Sequence, residues 1–374
     1  MKRIILIIST TCICSVLWAD IITVSNNPDS PGQYTSLQAA IDAAMDGDTL
    51  LIAGSPTTYV AITIDKKLRL IGAGMAPGYR QSAYTTILNL VGLSASLNYQ
   101  GASGSSFEGI VFRPLSNNGE VVIKNIAAPI IIKGITVDRC YIFGKTNSPL
   151  NINYIEDLTI RNSILFSTYI KISLGVQNVI VLNNIFANNA YYISNPANTS
   201  NNIILNNNIF FGDDPFGSNT NIYSQFSQTY NILFSNNIFY RISPDPYGVT
   251  VENCVFDNNI SFDATSNAFS ITGLNTGANN IENSDPQFVS IAPGATSFTW
   301  TDDLHLAPGS PGENMGVDGS DIGIYGGSFP FPLGGQYDAG PAPAIPEITI
   351  MNILNTALKK TDQLQVQIKA NSNN

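Results

Sequence analysis

The sequence predicts an all-β fold in which short strands stack into a solenoid. Only 12% of the residues are charged, about half the usual share of about 25%, so most strands must be paired and covered. An eight-residue pattern recurs through the middle of the chain. It alternates apolar residues, breaks at a polar pair and resumes, which is strand periodicity on both sides of a tight turn. The copies are Val179–Phe186, Leu158–Leu165, Ile203–Phe210, Ile232–Phe239, Val249–Phe256 and, more loosely, Ile135–Ile142.

The polar pair in each copy indicates how the coils stack. Its second position is spaced by 17 (237 to 254) to 29 (208 to 237) residues, and a period in this range is typical of solenoids. Asn dominates the pair and tolerates the left-handed backbone of a sharp turn. We therefore expect Asn184, Asn208 and Asn237 to form a ladder of side-chain amides. The full column reads Cys140, Ser163, Asn184, Asn208, Asn237 and Cys254.

This repeat resembles the right-handed parallel β-helix of the pectin-lyase-like superfamily. Gln33–Leu51 looks like the amphipathic cap helix and first strand that open such proteins. Ser284–Gly323, with DPQF, DDLHLAPGSPG and DIG, looks like the terminal coil of secreted bacterial β-helix proteins. The resemblance covers roughly residues 21–330 and implies the fold. The superfamily includes lyases, hydrolases, esterases, adhesins and proteins without known activity, so the fold does not specify a function.

The N-terminus predicts secretion. Lys2 and Arg3 precede the apolar run Ile4–Leu17, and Ala19 precedes Asp20, as in a signal peptide of residues 1–19. No later stretch is long and apolar enough to span a membrane. We expect a secreted or cell-surface protein of a Gram-negative bacterium.

Residues 20–327 are predicted to form the β-helix with its cap. The cap is a helix from Thr35 to Met45, with Thr35 and Gln38 as a capping box. Residues 328–346 are rich in Pro and Gly and predict a linker. Residues 347–374 contain two alternating runs, Ile348–Ile353 and Leu364–Ile368, and predict a C-terminal β hairpin or tail. This tail faintly resembles the sorting domains of secreted Bacteroidetes proteins.

The negative net charge of the chain argues against nucleic acid as a partner. The formal net charge is −10, and loss of Lys2 and Arg3 with the signal peptide makes it −12 (−10 − 2). This net charge disfavours binding of nucleic acid and simple electrostatic capture of an acidic polymer. It does not exclude a local basic site. Cys140 and Cys254 are expected to be buried and too far apart for a disulfide.

An outward apolar stripe has two interpretations. It is covered by the chain's own loops or tail, or it docks another protein. Ile180, Ile204 and Leu233 are expected to lie outward nearby. The stripe comprises Tyr141, Ile164, Ile185, Ile209, Ile238 and Val255.

Stacking the loops that follow the strands predicts one catalytic cluster. It brings Asp213 or Asp214 near Arg241 and Asp257, and carboxylates around an arginine suit acid–base work on a sugar. Aromatic residues close by are predicted to bind sugar rings. The alternative is that these are solvated loop residues. The aromatic candidates are Tyr191, Tyr192, Phe211 and Tyr240.

Other polar residues have structural or open interpretations. His305, the single histidine, is expected to be structural, and Arg161 is expected to pair with Asp138. Asp318 and Asp321 are candidates for contact with a cation, but no metal ligand set is assigned. Lyases of the resembled superfamily use a Lys or Arg base, often with carboxylate-bound calcium, so calcium is a possible cofactor. No motif for lyase, hydrolase or methylesterase catalysis matches residue by residue.

Three functions remain open from the sequence. The first is a secreted β-helix that binds polysaccharide or recognises a surface without catalysis. The second is a lyase or glycoside hydrolase acting on plant or algal polysaccharide. The third is a structural or adhesive surface protein. The sequence does not assign the ligand, the oligomeric state, the secretion route or the role of the tail.

Overall fold

The chain folds into a parallel β-helix, which confirms the predicted fold class. The computed structural model describes residues 19–75, 85–88, 90–97, 99–113, 122–188, 192–195, 201–212, 228–245, 250–291, 298–331, 347–353 and 366–371. Each coil passes from a first sheet, round a corner, into a second sheet and then back. All pairings within the sheets of the coils are parallel.

The strands are numbered in chain order. The first sheet contains β1 (Ile21–Val24), β2 (Thr49–Ile52), β4 (Arg69–Ile71), β7 (Ser106–Glu108), β10 (Ile132–Lys133), β11 (Thr136–Asp138), β13 (Ile155–Arg161), β15 (Gln177–Leu182), β18 (Asn201–Asn206), β21 (Ile232–Ser235), β24 (Val255–Asp257) and β26 (Thr276–Ala278). The second contains β5 (Ile87–Leu88), β8 (Val111–Phe112), β12 (Tyr141–Ile152), β14 (Ile164–Ile172), β16 (Ile185–Ala187), β17 (Ile193–Ser194), β19 (Ile209–Phe211), β22 (Ile238–Tyr240) and β25 (Ile260–Phe262). The third contains β3 (Ile62–Ile64), β6 (Leu90–Leu93) and β9 (Val122–Asn125). Outside these lie β20 (Thr229–Tyr230) beside β23 (Val251–Glu252), the antiparallel pair β27 (Phe288–Ser290) and β28 (Asp303–Leu306), and the antiparallel pair β29 (Glu347–Ile353) and β30 (Val366–Asn371).

The core is a set of columns of like residues inside the coils. Alternate residues of each strand point inward, and the register stacks them directly. The rings of Phe234 and Phe256 lie 5.1 Å apart and nearly parallel, and those of Phe186 and Phe210 lie 4.7 Å apart. Burying each such side chain contributes about 1.5–3 kcal/mol, so the repeat itself supplies the stability of the stack.

The corner between the first two sheets is a stack of buried asparagines. Asn184 donates from both its backbone N and its Nδ2 to Oδ1 of Asn208, at 3.0 and 3.1 Å. Asn208 does the same to Asn237, and Asn237 to Asn259. The preceding residue of each pair adopts the left-handed conformation, with φ between 50° and 56° at Asn162, Asn183, Asn207, Asn236 and Asn258.

The alignment of the last repeat was wrong. The register pairs Leu233 with Val255 and Ile238 with Ile260, so the copy after Ile232–Phe239 is Cys254–Ser261. Asn259, not Cys254, follows Asn237 in the stack. Cys254 lies at a different corner, where its backbone N donates to Oδ1 of Asn275 (2.9 Å).

The N-terminal end of the solenoid is capped by a helix shorter than predicted. Helix α1 spans Leu37–Ala43, and its N-cap is Ser36, whose hydroxyl accepts from Ala39 N at 3.3 Å. The predicted capping box at Thr35 is therefore wrong. Met45 is 57% exposed because the helix ends before it. The edge of β1 is also covered, since Tyr34 N donates to Thr23 O (3.1 Å), which limits pairing with another chain.

Residues 298–331, here called the C-terminal segment, cover the outward stripe on the second sheet. Ile164, Ile185, Ile209, Ile238 and Ile260 are fully buried and pack with apolar residues of this segment. The stripe is therefore covered by the chain itself, and its interpretation as a docking surface for another protein is wrong. Its last member is Ile260 rather than Val255. The covering residues include Phe298, Leu304, Ile322, Ile324 and Phe331.

The asparagines of the corner also hold the C-terminal segment. Asn183 Nδ2 donates to the carbonyls of Ile324 and Gly326, both at 2.8 Å, and Asn207 Nδ2 donates to that of Gly323 (3.0 Å). Residues 1–18 of the predicted signal peptide, and 332–346 of the predicted linker, lie outside the described residues. In the described part of the chain, no helix is long and apolar enough to cross a membrane.

Candidate functional site

The structure does not bring Arg241 and Asp257 together. Asp257 is the last residue of β24 in the first sheet, where it lies beside Ser235. Arg241 lies beyond the corner, after β22 in the second sheet. Arg241 instead pairs with Asp263 (Nε to Oδ2, 3.4 Å). The predicted partners Asp213 and Asp214 lie outside the described residues.

Two of the four predicted sugar-binding aromatics are buried. Tyr192 is in the core, with its ring 5.7 Å from that of Phe186 and its hydroxyl donating to Phe211 O (2.5 Å). Phe211 is fully buried beneath the C-terminal segment. Tyr240 is half-buried, 4.9 Å from the Phe211 ring. Burial, and secondarily the charge of Asp285, raises the pKa of Tyr240. Tyr191 lies outside the described residues.

His305 and the two late aspartates hold the C-terminal segment together. His305 Nδ1 lies 2.6 Å from Asp303 Oδ1, and its ring stacks on Tyr325 with centroids 3.6 Å apart. Asp318 accepts from the hydroxyl and backbone N of Ser320, which lowers its pKa. Asp321 Oδ1 accepts from Asn314 N (2.8 Å). Among the described residues, no three His, Cys, Asp or Glu side chains form a metal site.

The expected pair of Arg161 and Asp138 is part of a larger ion-pair cluster on the outer face of the first sheet. Arg161 contacts Asp138 at 3.0 Å. Glu108 binds both Arg69 (2.7 Å) and Arg139 (3.1 Å). Three arginines against two carboxylates give this cluster a net charge of +1 (3 − 2). Both carboxylates are buried and already bound, so the cluster is a structural tie between coils.

An apolar groove lies at the corner between the third and first sheets in the N-terminal coils. Its volume is about 500 Å³, and none of the described residues that line it is charged. Leu97 is 90% exposed and Tyr99 is 47% exposed at this groove. A concave, mostly apolar site with a few polar groups is the usual form of a binding site. The lining consists of Ala95, Ser96, Leu97, Tyr99, Gln100, Pro129, Ile130 and Ile131.

The first wall of the groove is a tight turn. Ser96 and Tyr99 exchange backbone hydrogen bonds of 2.9 and 3.2 Å. Gly101 follows with φ of 53°, and a Cβ there would collide with the carbonyl of Ser94. This close approach requires glycine and fixes the turn against the strand β6 that precedes it.

The second wall is fixed by one buried side chain. Asn125 is buried at the end of β9. Its Nδ2 donates to the carbonyls of Ile130 (2.6 Å) and Tyr154 (2.8 Å), and its Oδ1 accepts from Ala127 N (2.8 Å). Both walls are therefore pre-organised, which lowers the entropy cost of binding.

The Tyr99 ring is held in place by a carboxylate outside the groove. Its hydroxyl donates to Asp46 Oδ2 at 2.5 Å. This hydrogen bond, followed by burial and the charges of Asp46 and Asp65, raises the pKa of Tyr99 to about 12. The ring is thus neutral at physiological pH, oriented, and still half open to solvent.

The sequence did not predict this groove, because it lies in the early coils, where the repeat is irregular.

Comparison with known proteins supports the fold class. No family model and no curated protein sequence matches the chain. Among solved structures, pectate lyase Pel9A matches with a TM-score of 0.51 and 16% identity over 83% of this chain and 96% of that one. A pectin methylesterase from Aspergillus niger matches with a TM-score of 0.30 and 11% identity over 71% and 90%. The chain therefore shares a parallel β-helix fold with this pectate lyase.

Proposed function

We propose that this is a secreted protein that binds a neutral polysaccharide in the groove at Tyr99. The observation that supports it is the pre-organised groove itself, with one oriented and half-exposed aromatic ring. Sugar rings present apolar C–H faces, which pack on aromatic faces in the way other apolar groups do. Secretion is supported by the signal-peptide pattern of residues 1–19.

The described lining residues are uncharged, which favours a neutral ligand. Nearby Asp46 is already engaged by the Tyr99 hydroxyl and by Lys67 N (2.8 Å). Among the described lining residues, Gln100 and Ser96 have polar side chains that suit sugar hydroxyls. A chain with a net charge of −10 also repels an acidic polymer at long range.

The test is binding to a panel of neutral and acidic polysaccharides by affinity electrophoresis, with titration calorimetry on any hit. Y99A is expected to weaken binding of the hit by about tenfold, which is about 1.4 kcal/mol. Y99F keeps the ring and is expected to retain most of the affinity. Y230A is the matched control, because the hydroxyl of Tyr230 also bonds a nearby side chain, Gln228 (2.7 Å). Equal affinity of Y99A and the unmodified chain would reject the groove as the site.

A lyase or glycoside hydrolase is the second candidate function. The observation that favours it is Arg241, buried beside half-buried Tyr240 and paired with exposed Asp263. Release of reducing or unsaturated ends from the same panel, with and without calcium, tests it. Activity lost in D263N, with binding retained, would support this candidate. No product from any polymer would reject it and leave the binding function in place.

A further inference from the structure

The outer face of the first sheet has an apolar strip that the C-terminal segment does not cover. Ile180, Ile204, Leu233 and Val255 lie in register on successive coils. All four are partly exposed and are not among the residues packed under the C-terminal segment. With strands about 4.8 Å apart, the strip is about 14 Å long. Parallel sheets with apolar residues on both faces are normally covered on both.

The C-terminal segment ends beside this strip. It crosses the coils in the reverse direction, contacting Asn236, then Asn207, then Asn183. Near its end, the ring of Phe329 lies 4.7 Å from Cζ of Arg161. Arg161 is in register with Leu182, two residues along β15 from Ile180 of the strip. Phe331 N donates to Ile324 O (2.6 Å), the carbonyl that Asn183 also bonds, so the chain beyond residue 331 starts at the corner that borders the sheet of the strip.

The strand pair β29–β30 has the sequence pattern of a hairpin with one face to bury. Its register pairs Met351 with Ile368 and Ile353 with Val366, apolar with apolar. Between them it pairs Asn352 with Gln367, polar with polar. Directly opposite residues share a face, so the pairs Met351–Ile368 and Ile353–Val366 lie on one face. The other face has the pair Asn352–Gln367 and the mixed pair of Ile350 with Lys369. A two-stranded hairpin of this kind is marginal by itself in water and needs a surface to pack on.

We propose that the β29–β30 hairpin packs on the strip formed by Ile180, Ile204, Leu233 and Val255. The connecting residues 332–346 number 15 (346 − 331) and reach up to about 50 Å when extended, more than the length of the strip. The occupant is thus a segment of the same chain, delivered to the strip by the end of the C-terminal segment. The proposal is independent of saccharide binding, since the groove lies at another corner.

Thiol labelling in the full chain tests the packing. I204C places a thiol on the strip, and its reaction with a maleimide is followed by peptide mass spectrometry. Native Cys140 and Cys254 are buried and their pKa values are raised by burial, so they react slowly. The same thiol is then measured with I353D and I368D together, which removes the apolar pairs of the hairpin. T63C, on the exposed outer face of the third sheet, is the matched control.

The expected result is that the I204C thiol reacts about tenfold faster when the hairpin is disrupted, while T63C is unchanged. L233C repeats the measurement if I204C does not fold. Equal rates with and without the hairpin substitutions would overturn the proposal. Protection that grows with protein concentration would also overturn it, because a second copy would then be the occupant.

Discussion

Replacing one asparagine of the corner stack is expected to destabilise the whole solenoid. Asn208 is fully buried. Its Nδ2 donates to Val181 O (2.9 Å) and Asn237 Oδ1 (3.0 Å). Its Oδ1 accepts from the backbone N and the Nδ2 of Asn184, at 3.0 and 3.1 Å. N208L removes all four bonds and leaves buried partners on both neighbouring coils.

The magnitude follows from those bonds. Each hydrogen bond contributes about 1 kcal/mol net, and a buried donor left without a partner costs about 1–3 kcal/mol. Leu has a similar volume, so little is lost to a cavity. We expect the free energy of unfolding to fall by about 4 kcal/mol, counting shared costs once.

Urea denaturation followed by circular dichroism measures this change. The control is N178G, because Asn178 is an exposed asparagine with φ of 54° at which glycine is unstrained. It is expected to lose less than about 1 kcal/mol. A loss in N208L no larger than in N178G would refute the idea that the stack contributes to stability.

Three other perturbations test the packing and the electrostatics. I209A, in the stripe under the C-terminal segment, is expected to cost about 3 kcal/mol and to speed proteolysis of that segment; unchanged cleavage would contradict the packing. The raised pKa of Tyr99 means that its bond to Asp46 stabilises the fold fully below its unfolded pKa near 10 and is lost as the pH rises through about 12. The urea concentration at the unfolding midpoint should therefore fall less steeply with rising pH in Y99F than in the unmodified chain. Parallel curves for the two proteins would contradict a stabilising Tyr99–Asp46 bond. R161L is expected to lower the free energy of unfolding, measured by urea denaturation, by about 2 kcal/mol, because it removes a charged hydrogen bond from buried Asp138. A loss near zero would contradict this and show that Arg139 compensates fully.

The sequence predicted the parts of the fold that repeat. Inward and outward positions follow from the two-residue period, so Phe186 was placed in the core and Ile185 on the outer face, as the structure has them. The last repeat was misaligned because two corners use the same chemistry. Asn253 and Asn258 both have φ near 55°, and both precede apolar strand residues. Sequence alone does not distinguish them.

That single misalignment also displaced the catalytic prediction. It assigned Asp257 to the loop beside Arg241, where the correct register places Asp263. The Tyr99 groove was not predicted for a different reason. Its key contact joins Tyr99 to Asp46, 53 residues earlier, through a corner whose loops share no repeat. No local pattern identifies such a contact, and only the winding of the coils brings the two residues together.

Hydroxyl-radical footprinting with the best-binding polysaccharide shows directly whether the ligand occupies the Tyr99 groove. It measures the oxidation rate of exposed side chains in the intact protein. We expect slower oxidation of Leu97, Tyr99 and Ile131 in the complex. Oxidation of Leu274 and Val317, which are both 65% exposed elsewhere, should be unchanged. Protection around Tyr240 without protection in the groove, or binding to none of the polysaccharides, would contradict it.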